Sequence, residues 1–152
     1  MTERHDFPAG PRRLLGLDVG DRRIGVAVSD PTGLLATPIE VYHRRDVAAD
    51  VAHMAELAAA EEAEGLVVGL PVNMNGTEGP QAEKVRAFTR LLEEAGLPVR
   101  LWDERLSTLE AERRMAAAGR KRKRGVVQHN DAEAASVILE SYLDHVRSAV
   151  AG

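Results

Sequence analysis

The chain has 152 residues, a length that suits one domain able to bury a core without covalent staples. It holds no cysteine, which excludes disulfides, thiolate nucleophiles and cysteine-built zinc sites. A net charge of −4 argues against a surface that coats nucleic acid on all sides, and 3% aromatic residues make base stacking a poor main grip on a nucleic acid.

Residues 1–11 carry charges and prolines without an apolar run, so they read as a flexible tail rather than a secretion signal. No stretch has the length and apolarity of a membrane span, and a cytoplasmic protein is expected. Residues 12–148 read as one domain. Leu14 to Leu17 form a short apolar strand that ends at Asp18, and Gly20-Asp21 turns the chain. Ile24 to Val28 make a second apolar run, Pro31-Thr32-Gly33 turns again, and Leu34 to Val41 form a third segment, so the three predict a β-meander.

The period then changes. Val47, Val51, Met54, Ala55 and Ala58 have helical spacing, which predicts a helix over 46–62 closed by Gly65. Leu66 to Leu70 is apolar throughout, as in a strand buried on both faces. After the polar loop Pro71 to Gly79, Pro80 opens a helix carried by Val85, Phe88 and Leu92 to Gly96. Val99 to Trp102 is the fifth strand and leads into Asp103-Glu104. Ser107 and Glu110 are spaced as a capping box for a short helix to Ala118, and a final helix is expected from about Asp131 to Val146. The order β-β-β-α-β-α-β-α-α predicts a mixed five-stranded sheet with helices on both faces.

Three acids stand where such a fold could gather them. Asp18 ends an inner strand, where an ionised group is out of place unless it is used; the alternative is a cap on the following turn. Glu104 follows another strand, with Asp103 directed to the opposite side, and an ion pair with Arg105 is the competing reading. Asp131 shares a helix face with Ala135, Ile138 and Tyr142, although an acid suits any first helical turn and Asn130 with Glu133 also reads as a cap pair. Converging carboxylates are what a phosphodiesterase needs to hold Mg2+ or Mn2+, cations that prefer hard oxygen donors. Basic residues gather nearby: Arg22 and Arg23 after the first acid, and the run Arg120, Lys121, Arg122, Lys123, Arg124 before the last. They are candidate phosphate contacts, the alternative being solvated charge. Asn73 and Asn75 lie in a loop after a buried strand, a common place for ligand contacts, or for a plain turn. The five histidines have no metal-ligand spacing.

These motifs together resemble the YqgF/RuvX family. The resemblance is carried by Leu15-Gly16-Leu17-Asp18-Val19-Gly20 with Arg23-Ile24-Gly25-Val26-Ala27-Val28-Ser29-Asp30 and by Gly69-Leu70-Pro71 with Asn73, Gly76, Thr77 and Gly79. Asp103-Glu104-Arg105-Leu106-Ser107-Thr108 and the helix bearing Asp131, Ala134, Ala135, Ile138, Leu139, Tyr142 and Leu143 complete it. It spans residues 12 to 145. The loop departs from the family pattern at Asn75, where Asp often precedes the glycine, and the stretch Gly125 to Asn130 is irregular.

The resemblance implies a ribonuclease H-like fold and a metal-dependent nuclease that processes the 5′ end of the 16S rRNA precursor. It further implies that Asp18, Glu104 and Asp131 are the catalytic, metal-binding acids; Arg105 is expected to contact the nucleic acid, with Arg22, Arg23, Asn73, Asn75 and the run Arg120 to Arg124. The expected partners are a structured RNA precursor or branched DNA, with ribosomal precursor particles and a homodimer as further expectations. Other readings are a DNA junction resolvase on the same fold, a non-catalytic RNA-binding protein, and an actin-like ATP-binding domain. The last needs a second domain that 152 residues do not supply.

Overall fold

A computed structural model of the chain describes residues 7–10, 12–107 and 130–151. The three predicted meander strands form as β1 (Leu15–Val19), β2 (Arg23–Ser29) and β3 (Ala36–His43). Helix α1 (Val47–Ala60) starts where Asp46 accepts a hydrogen bond from the Ala49 amide. β4 (Leu66–Leu70), α2 (Pro80–Glu94), β5 (Val99–Asp103) and a final helix α3 (Asp131–Ala151) follow. The sheet order is β3-β2-β1-β4-β5. The meander pairs antiparallel, while β4 runs parallel to both β1 and β5. This is the expected mixed five-stranded sheet.

Strand alternation decides which helix covers which face. Leu15, Leu17, Ile24, Val26, Leu66 and Val68 are fully buried with Met54 of α1 and Val85, Phe88 and Leu92 of α2. The other face carries Leu14 and Val67 against Ile138, Leu139, Tyr142 and Leu143 of α3. Where α3 lies over the central strands that face carries Gly16, Gly25 and Gly69, and Trp102 of β5 packs edge-on against Tyr142. A Cβ on Gly16 would stand 2.8 Å from the Ala135 carbonyl oxygen. On Gly25 it would stand 1.8 Å from the Asp131 carbonyl oxygen, and on Gly69 2.6 Å from Ile138 Cδ1. At Gly16 and Gly25 the opposing atoms include helix backbone that cannot yield, so glycine there marks backbone proximity, whereas at Gly69 it leaves room for the Ile138 and Glu104 side chains.

Three boundaries differ from expectation. Ser107 does not cap a helix: Glu104 to Ser107 is already helical, and Asp103 Oδ1 accepts from the Arg105 amide at 2.9 Å, which makes Asp103 the cap. The helical turn starts four residues earlier than expected, so Ser107 falls inside it; Glu110 and the rest of the expected short helix lie outside the described residues. Phe7, the first described residue and inside the stretch expected to be a tail, contacts the domain. Its ring meets Tyr142 edge-on at 5.8 Å between centres, and the Arg100 guanidinium lies 4.9 Å over it. Helix α3 extends five residues beyond the expected Val146, to Ala151.

The cap pair at the start of α3 does form: Asn130 Oδ1 accepts from the Glu133 amide at 2.8 Å. Replacing Asn130 with alanine should therefore cost about 1 kcal/mol, read as a fall in the urea midpoint at unchanged slope. An unchanged midpoint would show that this bond contributes nothing to the docked helix.

Candidate active site

Asp18 is the fourth residue of β1 and pairs across the hairpin with Gly25. Alternation puts its side chain on the α3 face, beside the spot where Gly25 receives the Asp131 backbone. Glu104 follows β5 and reaches back over β4: a Cβ on Gly69 would lie 2.9 Å from Glu104 Oε1. Two strands and one helix thus bring the three acids to a single end of the sheet, the carboxyl ends of β1 and β5.

Their electrostatics show the closeness. Asp18 is pushed up to about 6, first by burial and then by the negative charge of Asp131. Glu104 is pushed up to about 7, by burial, by Asp18 and by Asp103. Asp18 therefore feels both other acids. Asp131 is more open, with its side chain 32% exposed, and its Oδ2 lies 2.9 Å from Arg23 Nε. Among the described residues, no three acidic or histidine side chains already surround one point closely enough to grip an ion. The acids form a mutually repelling set rather than a closed shell. Such a set still suits Mg2+ or Mn2+: the donors are hard carboxylate oxygens, crowded and partly desolvated, and a divalent cation relieves their repulsion.

The turn that follows Asp18 is held from outside. The Gly20 carbonyl accepts from Arg44 Nη1 at 2.9 Å, and Arg44 Nε pairs at 2.9 Å with Asp50, a carboxylate only 1% exposed. Asp50 also accepts from the Tyr42 hydroxyl and the Arg45 amide, each at 2.9 Å, and Arg44 lies 4.9 Å over the Phe88 ring. Three hydrogen bonds and the charge of Arg44 hold the Asp50 carboxyl below the usual carboxylate range despite its burial. Gln81 Nε2 reaches the Val19 carbonyl at 3.4 Å, and Lys84 pairs with Asp21 at 3.2 Å. Sequence reasoning passed over this network, although an acid at an inward helical position (Asp50, one turn before Met54) was the available signal.

The expected nucleic-acid contacts fare unevenly. Arg22 is exposed in the turn between β1 and β2, near the acids. Arg23 faces Asp131. Arg105 is gripped by Asp103 through Nε and Nη2, which keeps Asp103 well below its ordinary range. Its Nη1 lies 3.5 Å from the Met74 carbonyl, which ties it to the loop after β4. Within that loop Asn73 Nδ2 donates to Thr77 Oγ1 at 3.0 Å, while Asn75 Oδ1 accepts from the Thr77 amide at 3.1 Å. Both asparagines thus shape the loop, while Met74 at its tip is 88% exposed. Arg120, Lys121, Arg122, Lys123 and Arg124 lie outside the described residues.

Comparison with known proteins places this arrangement. A family model described as "RuvX: Holliday junction resolvase" matches residues 12–145. The chain belongs to the RuvX family. This is a nuclease family, and membership makes the chain a phosphodiester-hydrolysing enzyme. Among its relatives is a protein of Moorella thermoacetica provisionally named a pre-16S rRNA nuclease, 51% identical over 137 residues, covering 88% of this chain and 96% of the relative. A protein of Roseobacter denitrificans with the same provisional name is 45% identical over 141 residues, covering 90% and 85%. Among solved structures, Thermus thermophilus RuvC in complex with a Holliday junction substrate superposes with a TM-score of 0.64 at 17% identity, covering 91% of this RuvX chain and 96% of RuvC. The large terminase nuclease of phage G20c gives 0.56 at 13%, covering 92% and 90%. At such identities these two attest the fold alone, which is ribonuclease H-like as expected. No helix among the described residues is long and apolar enough to cross a membrane.

Proposed function

We propose that this RuvX protein is a cytoplasmic, metal-dependent endonuclease that trims the 5′ end of the 16S rRNA precursor, with Asp18, Glu104 and Asp131 as its metal-binding acids. The observation that carries the reading is the electrostatic coupling of Asp18 to both other acids at one end of the sheet. Relatives at 45–51% identity bear the pre-16S rRNA nuclease name, which favours RNA as the substrate. Mg2+ or Mn2+ held by these carboxylates supplies the positive charge that stabilises the attacking and leaving oxygens of an in-line displacement.

The chain's own residues then have separable tasks. Asp18, fixed by the sheet and by the turn that Arg44 holds, sets the centre of the site. Glu104, carried by the helical turn that Asp103 caps, closes it from the β5 side. Asp131 closes it from α3. Arg22, Arg23 and the block Arg120 to Arg124 meet backbone phosphates, and Arg105 with Asn73 and Asn75 lends shape to the β4 loop beside the nucleic acid. Such a grip weakens steeply with salt, since phosphate binding releases condensed counterions. A homodimer and association with ribosomal precursor particles belong to the same reading.

The family description and the RuvC-like fold favour a second reading, cleavage of branched DNA. One experiment separates them: cleavage of a 5′-extended 16S precursor RNA and of a four-way DNA junction, each with Mg2+, Mn2+ or EDTA. The first reading expects metal-dependent cutting of the RNA. Cutting of the junction alone would transfer the assignment to DNA, and cutting of either in EDTA would remove the metal from the mechanism.

A further inference from the structure

The pair formed by Arg23 Nε and Asp131 Oδ2, 2.9 Å apart, occupies an oxygen that the nuclease reading assigns to a cation. Both backbones are pinned. Arg23 opens β2 opposite His43, and its carbonyl accepts from the Gly20 amide at 2.8 Å. The Asp131 backbone rests on Gly25, with no room for even a methyl group between them. The side chains are not pinned: that of Arg23 is 56% exposed and that of Asp131 is 32% exposed. An ion pair this open contributes little to stability and separates easily. A guanidinium also fits a phosphodiester's paired oxygens as well as it fits a carboxylate.

We propose that Arg23 is a displaceable internal counterion, which holds Asp131 while no nucleic acid is bound and moves to a backbone phosphate when one arrives, freeing Asp131 for a divalent cation. The inference rests on the nuclease reading and adds a regulation to it. Metal and nucleic acid then bind cooperatively, and by linkage each tightens the other by the same factor. The free protein holds its metal weakly and completes the site on a phosphate backbone.

The test uses the intact chain as wild type, Arg23→Gln, Arg22→Gln and Asp18→Asn. Mn2+ affinity is read from the electron paramagnetic resonance of the free ion, without nucleic acid. Arg23→Gln should bind Mn2+ about fivefold tighter than wild type or more, the low end of ordinary coupling. Arg22→Gln, which removes the same charge one residue away from the pair, should stay within about twofold of wild type on that scale. Fluorescence anisotropy of a short labelled RNA duplex at constant ionic strength gives the reciprocal measurement: Mn2+ should tighten RNA binding in wild type and lose that effect in Arg23→Gln. Equal Mn2+ affinity in wild type and Arg23→Gln, or an equal gain in Arg22→Gln, overturns the displaceable counterion and leaves the metal site intact. Mn2+ binding that survives Asp18→Asn overturns the metal site itself, and the counterion with it.

Discussion

Asp18→Asn should abolish phosphodiester cleavage and, in EDTA at pH 7.5, make the protein more stable. Both effects follow from one cause. Burial and the charge of Asp131 raise the Asp18 carboxyl to about 6, from an ordinary value of 3.8. An acid raised on folding is easier to ionise in the unfolded chain, so its charge destabilises the fold as pH climbs past about 4, and the whole penalty is present above about 6. Glu104, raised to about 7 from 4.5, extends the loss to neutral pH. The metal-free wild type should therefore lose stability between about pH 4 and pH 7, and Asp18→Asn should flatten much of that slope. Solvent screens part of the penalty at this partly exposed site. A gain of about 1–2 kcal/mol is expected at pH 7.5, or roughly 3–6 °C in Tm by calorimetry.

Millimolar Mn2+ should raise the wild-type Tm and leave that of Asp18→Asn unmoved, because only a state that binds the ion is stabilised by it. Cleavage should fall by more than about 100-fold, since even the outer partners of metal ligands cost 10–100-fold when removed. Undiminished cleavage, or a Tm below wild type in EDTA, would remove Asp18 from the centre of the site.

Gly25→Ala tests the other support of the site without touching an acid. The new methyl would stand 1.8 Å from the Asp131 carbonyl oxygen and 2.7 Å from the Ala132 nitrogen. Both atoms are helix backbone, so no rotamer change relieves the clash, and the start of α3 must lift. Overpacking of this kind costs about 1–3 kcal/mol, or roughly 3–10 °C in Tm. The larger effect should be on rate, because the lifted residue is Asp131: displacement of a reacting group by about 1 Å costs around 100-fold. Gly16→Ala supplies the comparison. Its methyl would meet Ala135 O and Leu139 Cβ, each at 2.8 Å, a full turn further along α3. It should cost similar stability and much less activity. Equal loss of rate in the two variants would show that α3 moves as a rigid rod and that the seat under Asp131 has no special part.

Much of this architecture is legible in the chain because its signals are local. The shift from alternating to helical spacing at Val47 marks α1, the apolar run Leu66 to Leu70 marks a strand covered on both faces, and both form as read. The acids at strand ends were legible for the same reason: polar groups closing apolar runs stand out. What could not be read concerns approach in space. Gly16, Gly25 and Gly69 look in sequence like weak points in strands, and only the docked α3 shows them to be seats for a helix. Ser107 has the spacing of a cap, but Asp103 starts the helical turn four residues earlier by accepting from the Arg105 amide. The Arg23–Asp131 pair joins residues more than a hundred positions apart, and no pattern rule links them.

The third acid reaches the site on the final helix, long after the first has left the ribosome. A nascent chain that has exposed only the sheet carries Asp18 and Glu104 without Asp131, and residues 131–151 must emerge and settle on the glycine-lined face before all three acids can meet. On the proposed assignment of the three acids, an enzyme made in the company of ribosomal RNA would thus be kept from cutting by the order of its own synthesis. Any product of early termination within that last segment should be translated, should fold in part, and should leave every transcript whole.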